Sequence, residues 1–270
     1  MELERLHACP LCGRNRFRPY KRIAGWQIVQ CVSCKLAFLN PRPGAAEQAR
    51  IYSVYEGYPP MPTDPAEKRR LIDLEEYRVG PLTQSRAPGT LLDVGSGSGM
   101  FLALAREYGW TVCATEIAPH CVAYSRDELG LDIFQGDLTR LNLTQRFDVV
   151  TLNHILEHVA DPVAQVLAAK ARLKDDGLFC VSVPNHRCFD AWRQGLKWEG
   201  WALPWHFYHF TPATLRRLIE RCGLRVIRVD FGLSEEFNKP WVIRLRRHLS
   251  KDWQTRIFSG TNLTAYACIR

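Results

Sequence analysis

The sequence lacks several things that would fix its class at once. No run approaches the roughly 18 consecutive apolar residues of a membrane-spanning helix, so no membrane role is expected. Met1-Glu2-Leu3-Glu4-Arg5 does not follow the basic-then-apolar order of a secretion signal, which makes a cytoplasmic location the expectation. Without such a signal, the ten cysteines are not expected to form disulfides. A dinucleotide fingerprint, G-x-G-x-x-G, is also missing. Counted from Gly95 its last glycine falls on Met100, and counted from Gly97 it falls on Leu102. The 46% hydrophobic and 24% charged content is ordinary for a globular chain, and 270 residues can hold one α/β domain plus a small appendage.

What the chain does contain begins with Leu91-Leu92-Asp93-Val94-Gly95-Ser96-Gly97-Ser98-Gly99. An apolar run ends at an acid, three glycines follow at alternate positions, and an apolar helical pattern starts at Phe101. This is the pattern of a buried strand, a tight turn and a helix. Glycine allows positive φ and close backbone approach to a ligand, and a helix N-terminus offers free N–H groups to an anion.

Alternating strands and helices continue from there. Thr111–Thr115 reads as a second strand ending at Glu116, and an acid at such a tip can accept from both hydroxyls of a ribose. A helix opens at Pro119 and stops at Gly130, followed by a short strand, Leu131–Phe134, and Gly136-Asp137-Leu138. Phe147–Leu152 is the fourth strand and runs into Asn153-His154-Ile155-Leu156-Glu157-His158. Asp161-Pro162 and Thr211-Pro212 are helix starts, Gly177–Val183 is the fifth strand, and Arg225–Phe231 with Asn262–Ile269 form a final antiparallel pair. The alternation implies a mostly parallel sheet whose ligands sit beyond the carboxyl ends of strands one, two and four.

The G-x-G-x-G turn behind Asp93 resembles motif I of class I S-adenosylmethionine-dependent methyltransferases. Glu116, Asp137, the Leu156-Glu157-His158 segment and the strand at 177–184 follow in that family's order over about residues 85–270. The chain is most similar to the group that includes the ubiquinone-biosynthesis O-methyltransferases. The resemblance implies a Rossmann-like, seven-stranded α/β domain that binds S-adenosylmethionine. Its cofactor contacts would be Asp93, Gly95, Ser96, Gly97, Gly99, Glu116, Ile117, Asp137, Leu138 and Asn153, with Asp137 at the adenine amino group. In that group a Glu-x-x-Glu-His segment has been linked to a divalent metal. Here His154 stands at its first position, and no metal is expected there.

Ahead of this domain lie Cys9-Pro10-Leu11-Cys12 and Cys31-Val32-Ser33-Cys34. Two C-x-x-C knuckles at this separation can place four thiolates around one tetrahedral zinc. With all four ligands supplied by Cys9, Cys12, Cys31 and Cys34, no position is open to substrate, so the zinc is expected to be structural. A hairpin over 22–30 with Trp26 as an apolar plug would join the knuckles, and a segment this small would depend on the metal for stability. The expected layout is a zinc-ribbon-like module at 1–43 and a helical linker or cap at 44–84. The latter holds one helix from 45 to about 55 and another from 66 to about 78. A methyltransferase domain follows at 85–270, with insertions at 185–210 and 232–260. Tyr55 or Tyr58 is expected to cover the cofactor.

Methyl transfer to a hydroxyl or an acidic carbon calls for a general base with a pKa near neutrality, and histidine suits that task. His154, directly after the fourth strand, is the first candidate. His206 and His209 follow, in a segment from Trp192 to His209 rich in tryptophan that is expected to wall or cover a pocket. The acceptor is expected to be a small molecule or sugar-like compound, methylated on oxygen or carbon. An RNA methyltransferase is the alternative, with the ribbon and the basic stretch Arg244-Leu245-Arg246-Arg247-His248 holding RNA. A non-enzymatic zinc-dependent binding module is a third reading, opposed by the intact glycines, Glu116 and Asp137.

Overall fold

The computed structural model describes residues 2–53, 61–233 and 259–270. Tyr55, Tyr58, the basic stretch Arg244–His248, Trp241 and Trp253 lie outside the described residues.

The N-terminal strands are β1 (Leu3–Glu4), β2 (Phe17–Ile23), β3 (Trp26–Cys31), β4 (Ala37–Leu39) and β5 (Arg42–Pro43). The β2–β3 hairpin turns through Ala24 and Gly25, both at positive φ (49° and 84°), which matches the twist of the flanking strands. Trp26 is only half-buried, and the apolar plug is Ile28, which is fully enclosed. Helices α1 (Ala45–Ser53), α2 (Pro65–Asp73) and α3 (Glu76–Ser85) follow. A single helix was expected over most of the last two. The chain turns at Leu74–Glu75, and Asp64 caps α2 by accepting from the amides of Ala66 and Glu67.

The main domain comprises β6 (Thr90–Val94), α4 (Met100–Glu107), β7 (Thr111–Glu116), α5 (Pro119–Leu129), β8 (Ile133–Gln135), β9 (Phe147–Asn153), α6 (Pro162–Ala171), β10 (Leu173–Pro184), α7 (Phe189–Gln194), β11 (Tyr208–His209), α8 (Pro212–Arg221), β12 (Leu224–Leu233) and β13 (Ser259–Ile269). Seven strands form one sheet in the order β12-β13-β10-β9-β6-β7-β8. Six run in the same direction, and β13 lies antiparallel between β10 and β12. Strand β6 is central and closed over on both faces, which is why Leu91, Leu92 and Val94 read as a continuous apolar run. Asp161 and Thr211 cap α6 and α8 with Pro at the first helical position, as their sequences require. The fifth strand, expected from Gly177, starts earlier at Leu173: the run Lys174–Gly177 is carried within β10 as an irregularity in its pairing with β9.

The ribbon is not packed as a separate bead. Its sheet has the order β11-β4-β3-β2, so the fourth strand comes from the segment at 185–210. Leu11, Leu36, Phe38 and Leu39 share one apolar cluster with Leu152, Leu156, Phe207 and Leu215 of the main domain. On the opposite face Ile28 and Ala37 pack against Cys188, Ala191, Trp198 and Trp201. The small segment therefore draws on a core larger than its own, which relaxes the dependence on metal expected from its size. Of the tryptophans expected to wall a pocket, Trp198 and Trp201 are buried in this seam, while Trp192 is 77% exposed.

Candidate functional site

Strand β6 delivers Asp93 to the base of the glycine turn. Gly95, Gly97 and Gly99 have φ of 74°, 54° and 79°, values that side-chain-bearing residues rarely adopt. The amides of Gly95 and Ser96 both donate to the Thr115 carbonyl, stitching the turn to β7. At the tip of β7, Glu116 is 3% exposed; its Oε2 accepts from Gly97 N at 2.8 Å and its Oε1 from Ala118 N at 2.8 Å. Each carboxylate oxygen keeps a further lone pair, so the group can take two hydroxyls side by side. Ser96 Oγ is buried with no partner beside it, an unused donor in the same turn. These features suit the ribose and amino-acid ends of S-adenosylmethionine.

Asp93 is 2% exposed. Its Oδ1 accepts from Thr151 Oγ1 at 2.6 Å and from Asn153 Nδ2 at 3.2 Å, so it ties β6 to the end of β9. Burial pushes its pKa up to about 7 against the pull of those hydrogen bonds and of Arg78. Ile117 is exposed at the lip and Leu138 is buried. Asp137 Oδ1 accepts from Thr139 N at 2.9 Å, a local turn bond that leaves Oδ2 for a ligand.

Sequence reasoning missed the start of α3. Glu75 and Arg78 form an ion pair there, and the Arg78 guanidinium lies 5.6 Å from the Phe101 ring. The charges of both reach Asp93. The turn between α2 and α3 is what brings them in, and an uninterrupted helix would carry them past.

After β9 the chain enters the loop 154–160. His154 has φ 57°, a left-handed conformation that is unusual for a residue with a β-carbon, and its amide donates to Ser182 O at 2.9 Å. Its Nδ1 lies 3.1 Å from Glu157 Oε1. Burial alone would raise the Glu157 pKa, but the bond to His154 and the charges of His154, His158 and His206 outweigh it and hold the carboxyl low. An ionised Glu157 accepts from Nδ1–H, which leaves His154 Nε2 as the basic atom of the pair. The His154 side chain is 33% exposed, against 0% for Glu157.

His158 Nδ1–H donates to Trp205 O at 3.1 Å and His206 Nδ1–H to Gly200 O at 2.9 Å. The two rings meet edge to face at 4.6 Å. Glu157, His158 and His206 each bring a potential metal-ligand atom within 4.8 Å of the others. His206 thus lies beside Glu157, the partner of His154. His209 does not: it is 3% exposed, and its ring packs edge-on to Trp201 at 5.1 Å on the ribbon side. Its expected place at the acceptor gives way to one in the seam.

The four ribbon thiols converge. Cys9 and Cys34 sulfurs are 3.5 Å apart, those of Cys12 and Cys31 3.6 Å, and all four lie within 4.8 Å. Zinc bonded to four sulfurs at about 2.3 Å holds them about 3.8 Å apart, so the cluster fits that ion. The hydrogen bond from Cys9 draws the Cys34 pKa down to about 5, against the effect of burial.

A family model described as a methyltransferase domain matches residues 67–229. A ubiquinone biosynthesis O-methyltransferase of Cereibacter sphaeroides is 33% identical over 147 residues, which are 50% of this chain and 59% of the relative. The chain thus spans about three fifths of the length of the first curated relatives it matches. Among solved structures, an S-adenosylmethionine-dependent methyltransferase from Archaeoglobus fulgidus superposes with a TM-score of 0.57 at 19% identity, covering 74% of this chain and 93% of that one. The magnesium protoporphyrin IX methyltransferase of Synechocystis, solved with S-adenosylhomocysteine bound, gives 0.51 at 14% identity, covering 76% and 84%. At these identities the two structures speak for the fold alone. No helix among the described residues is long and apolar enough to cross a membrane.

Proposed function

Because the chain belongs to the methyltransferase-domain family, we propose that it transfers a methyl group from S-adenosylmethionine to a hydroxyl of a small-molecule acceptor, with His154 as general base. The observation that carries this reading is the His154–Glu157 pair at 3.1 Å, placed where β9 ends beside the Asp93 carboxylate and the glycine turn. The name of the Cereibacter relative supports oxygen as the methylated atom.

The cofactor supplies an electrophilic methyl on a sulfonium; the chain aligns the acceptor and manages its proton. The glycine turn and Glu116 would hold the nucleoside, and Ser96 with Arg78 would face the amino-acid end. His154 Nε2 takes the proton of the acceptor hydroxyl as the oxygen–methyl bond forms. Glu157 keeps the imidazole in the required tautomer and steadies the imidazolium that results. His206 sits beside Glu157 and helps to enclose this pair. We further propose that Cys9, Cys12, Cys31 and Cys34 hold a structural zinc. RNA as the acceptor draws no specific support: the curated relatives are named for O-methylation in ubiquinone biosynthesis.

Incubating the protein and methyl-labelled cofactor with a metabolite extract, followed by mass spectrometry, should yield one labelled small molecule. His154→Ala should lower the labelling rate by about 100-fold or more while changing cofactor affinity only about threefold, the range expected for loss of a general base. Undiminished labelling by that variant would remove His154 from the mechanism.

A further inference from the structure

We infer that Arg42 is the positioning residue through which the ribbon fixes the loop 154–160, an inference that rests on the catalytic role proposed for that loop. The Arg42 side chain is 6% exposed. Its Nε donates to Glu4 Oε1 at 2.6 Å, and its Nη1 donates both to the Ala160 carbonyl at 3.0 Å and to Tyr208 Oη at 2.7 Å. Tyr208 Oη in turn donates to the same Ala160 carbonyl at 2.7 Å. The guanidinium also lies over the rings of Phe207 and Tyr208, 5.0 and 5.8 Å from their centroids. One side chain of the ribbon therefore closes a triangle between the far end of the loop and β11.

The near end of the loop is held from the same side. Leu39 N, in β4, donates to Phe207 O at 2.8 Å. The amides of Phe207 and Tyr208 both donate to the Glu157 carbonyl, at 2.7 and 3.2 Å. The path runs from the cysteine knuckle through β4 and β11 to the backbone of the residue that orients His154. Glu157 Oε1 stays in line with His154 Nδ1 only while the backbone at 157 keeps its direction. A planar guanidinium with several fixed donors can hold a phenol, a carbonyl and a carboxylate at once, which a lysine ammonium of one charge centre cannot do in the same geometry. Glu4, its carboxylate partner, is 43% exposed in its side chain, so the enclosed part of the arrangement is directed at the loop rather than at an ion pair.

The test uses the full-length, zinc-loaded chain as Arg42→Met and Arg42→Lys, followed by zinc analysis, calorimetric titration with S-adenosylhomocysteine, hydrogen exchange, and spectra of histidine labelled with nitrogen-15. For Arg42→Met, zinc content should be unchanged and affinity should move by less than about threefold. Amide exchange in 154–160 should rise about tenfold or more and that in 93–99 should not, the signature of a local opening. The His154 imidazole signals should shift toward those seen in Glu157→Gln. Arg42→Lys should restore part of the protection. Unchanged exchange at 154–160, or an equal rise in both segments with zinc still bound, would overturn the inference. Should Arg42→Met fail to fold, Tyr208→Phe removes the hydroxyl of the triangle and keeps the ring, and it should loosen the same loop. A His154→Ala variant with full turnover would sink the loop's chemistry, but not these exchange results, so the two failures are distinguishable.

Discussion

Gly95 and Ile155 are in direct apposition: a β-carbon built on Gly95 would lie 2.2 Å from Ile155 Cδ1. The turn meant for the cofactor and the loop meant for the acceptor therefore press on each other. Gly95→Ala combines a positive φ of 74° with that clash. It should cost about 2–4 kcal/mol of stability, from left-handed strain and overpacking together. Calorimetry with S-adenosylhomocysteine should show affinity falling as well, and a variant that binds and melts like the parent would mean that the two segments yield more readily than their packing indicates.

Glu116 tests the nucleoside contact proposed above. Glu116→Gln keeps an oxygen for one of the two backbone amides but loses the charge that strengthens bonds to hydroxyls. Affinity for S-adenosylhomocysteine should drop about 10- to 100-fold, the loss of one or two charge-assisted hydrogen bonds. Equal affinity in both proteins would place the ribose elsewhere.

Acid should weaken the fold through its histidines. Burial lowers the pKa of His186 and His158 to about 4 and depresses those of His206 and His209 below the ordinary 6.5. Between pH 6.5 and 4 the unfolded chain then binds more protons than the folded one, so stability rises with pH across that window. The contribution is complete above about 6.5 and is lost as pH falls through about 4. Asp93 acts oppositely: its raised pKa gives stability that is present below 3.8 and lost as pH rises through about 7, and Glu75, also raised by burial, acts in the same sense, but these are two groups against four. Urea midpoints should therefore fall from pH 7 to pH 4.5. For His186 alone the loss is roughly 2–3 kcal/mol, and His186→Asn should flatten the profile by that amount. A flat parent profile would show that these imidazoles take up protons as readily in the folded chain as in the unfolded one.

Removing the proposed zinc separates the metal's share of stability from the core's. Chelation should lower the melting temperature by about 5–15 °C without unfolding the whole chain at 25 °C, because the ribbon's apolar side chains remain packed on the main domain. Complete unfolding on chelation would show the shared core to be insufficient.

What could be read from the sequence was what lies close along the chain or repeats at a fixed interval. Gly95, Gly97 and Gly99 declare themselves by spacing, Glu116 by its place at a strand end, and the four cysteines by two identical knuckles. His154 was visible as a titratable group after a strand, and Glu157, three residues on, proves to be its hydrogen-bond partner. The pairing of β11 with β4 was not legible, because a two-residue strand has no periodicity and its partner is far away in sequence. His209 was misplaced for that reason. Nothing local to Arg42 distinguishes a guanidinium that ends in solvent from one that ends on Ala160. The turn at Leu74–Glu75 carries no glycine or proline to announce it, so one helix from 66 to about 78 was expected to run through Glu75.

The strand β11 has a consequence for engineering. A copy of this chain stripped of its whole N-terminal ribbon, β4 included, would leave Tyr208 and His209 without their partner strand, open to pairing with another molecule. A chimera that grafts the ribbon onto another enzyme must therefore import β11 along with it.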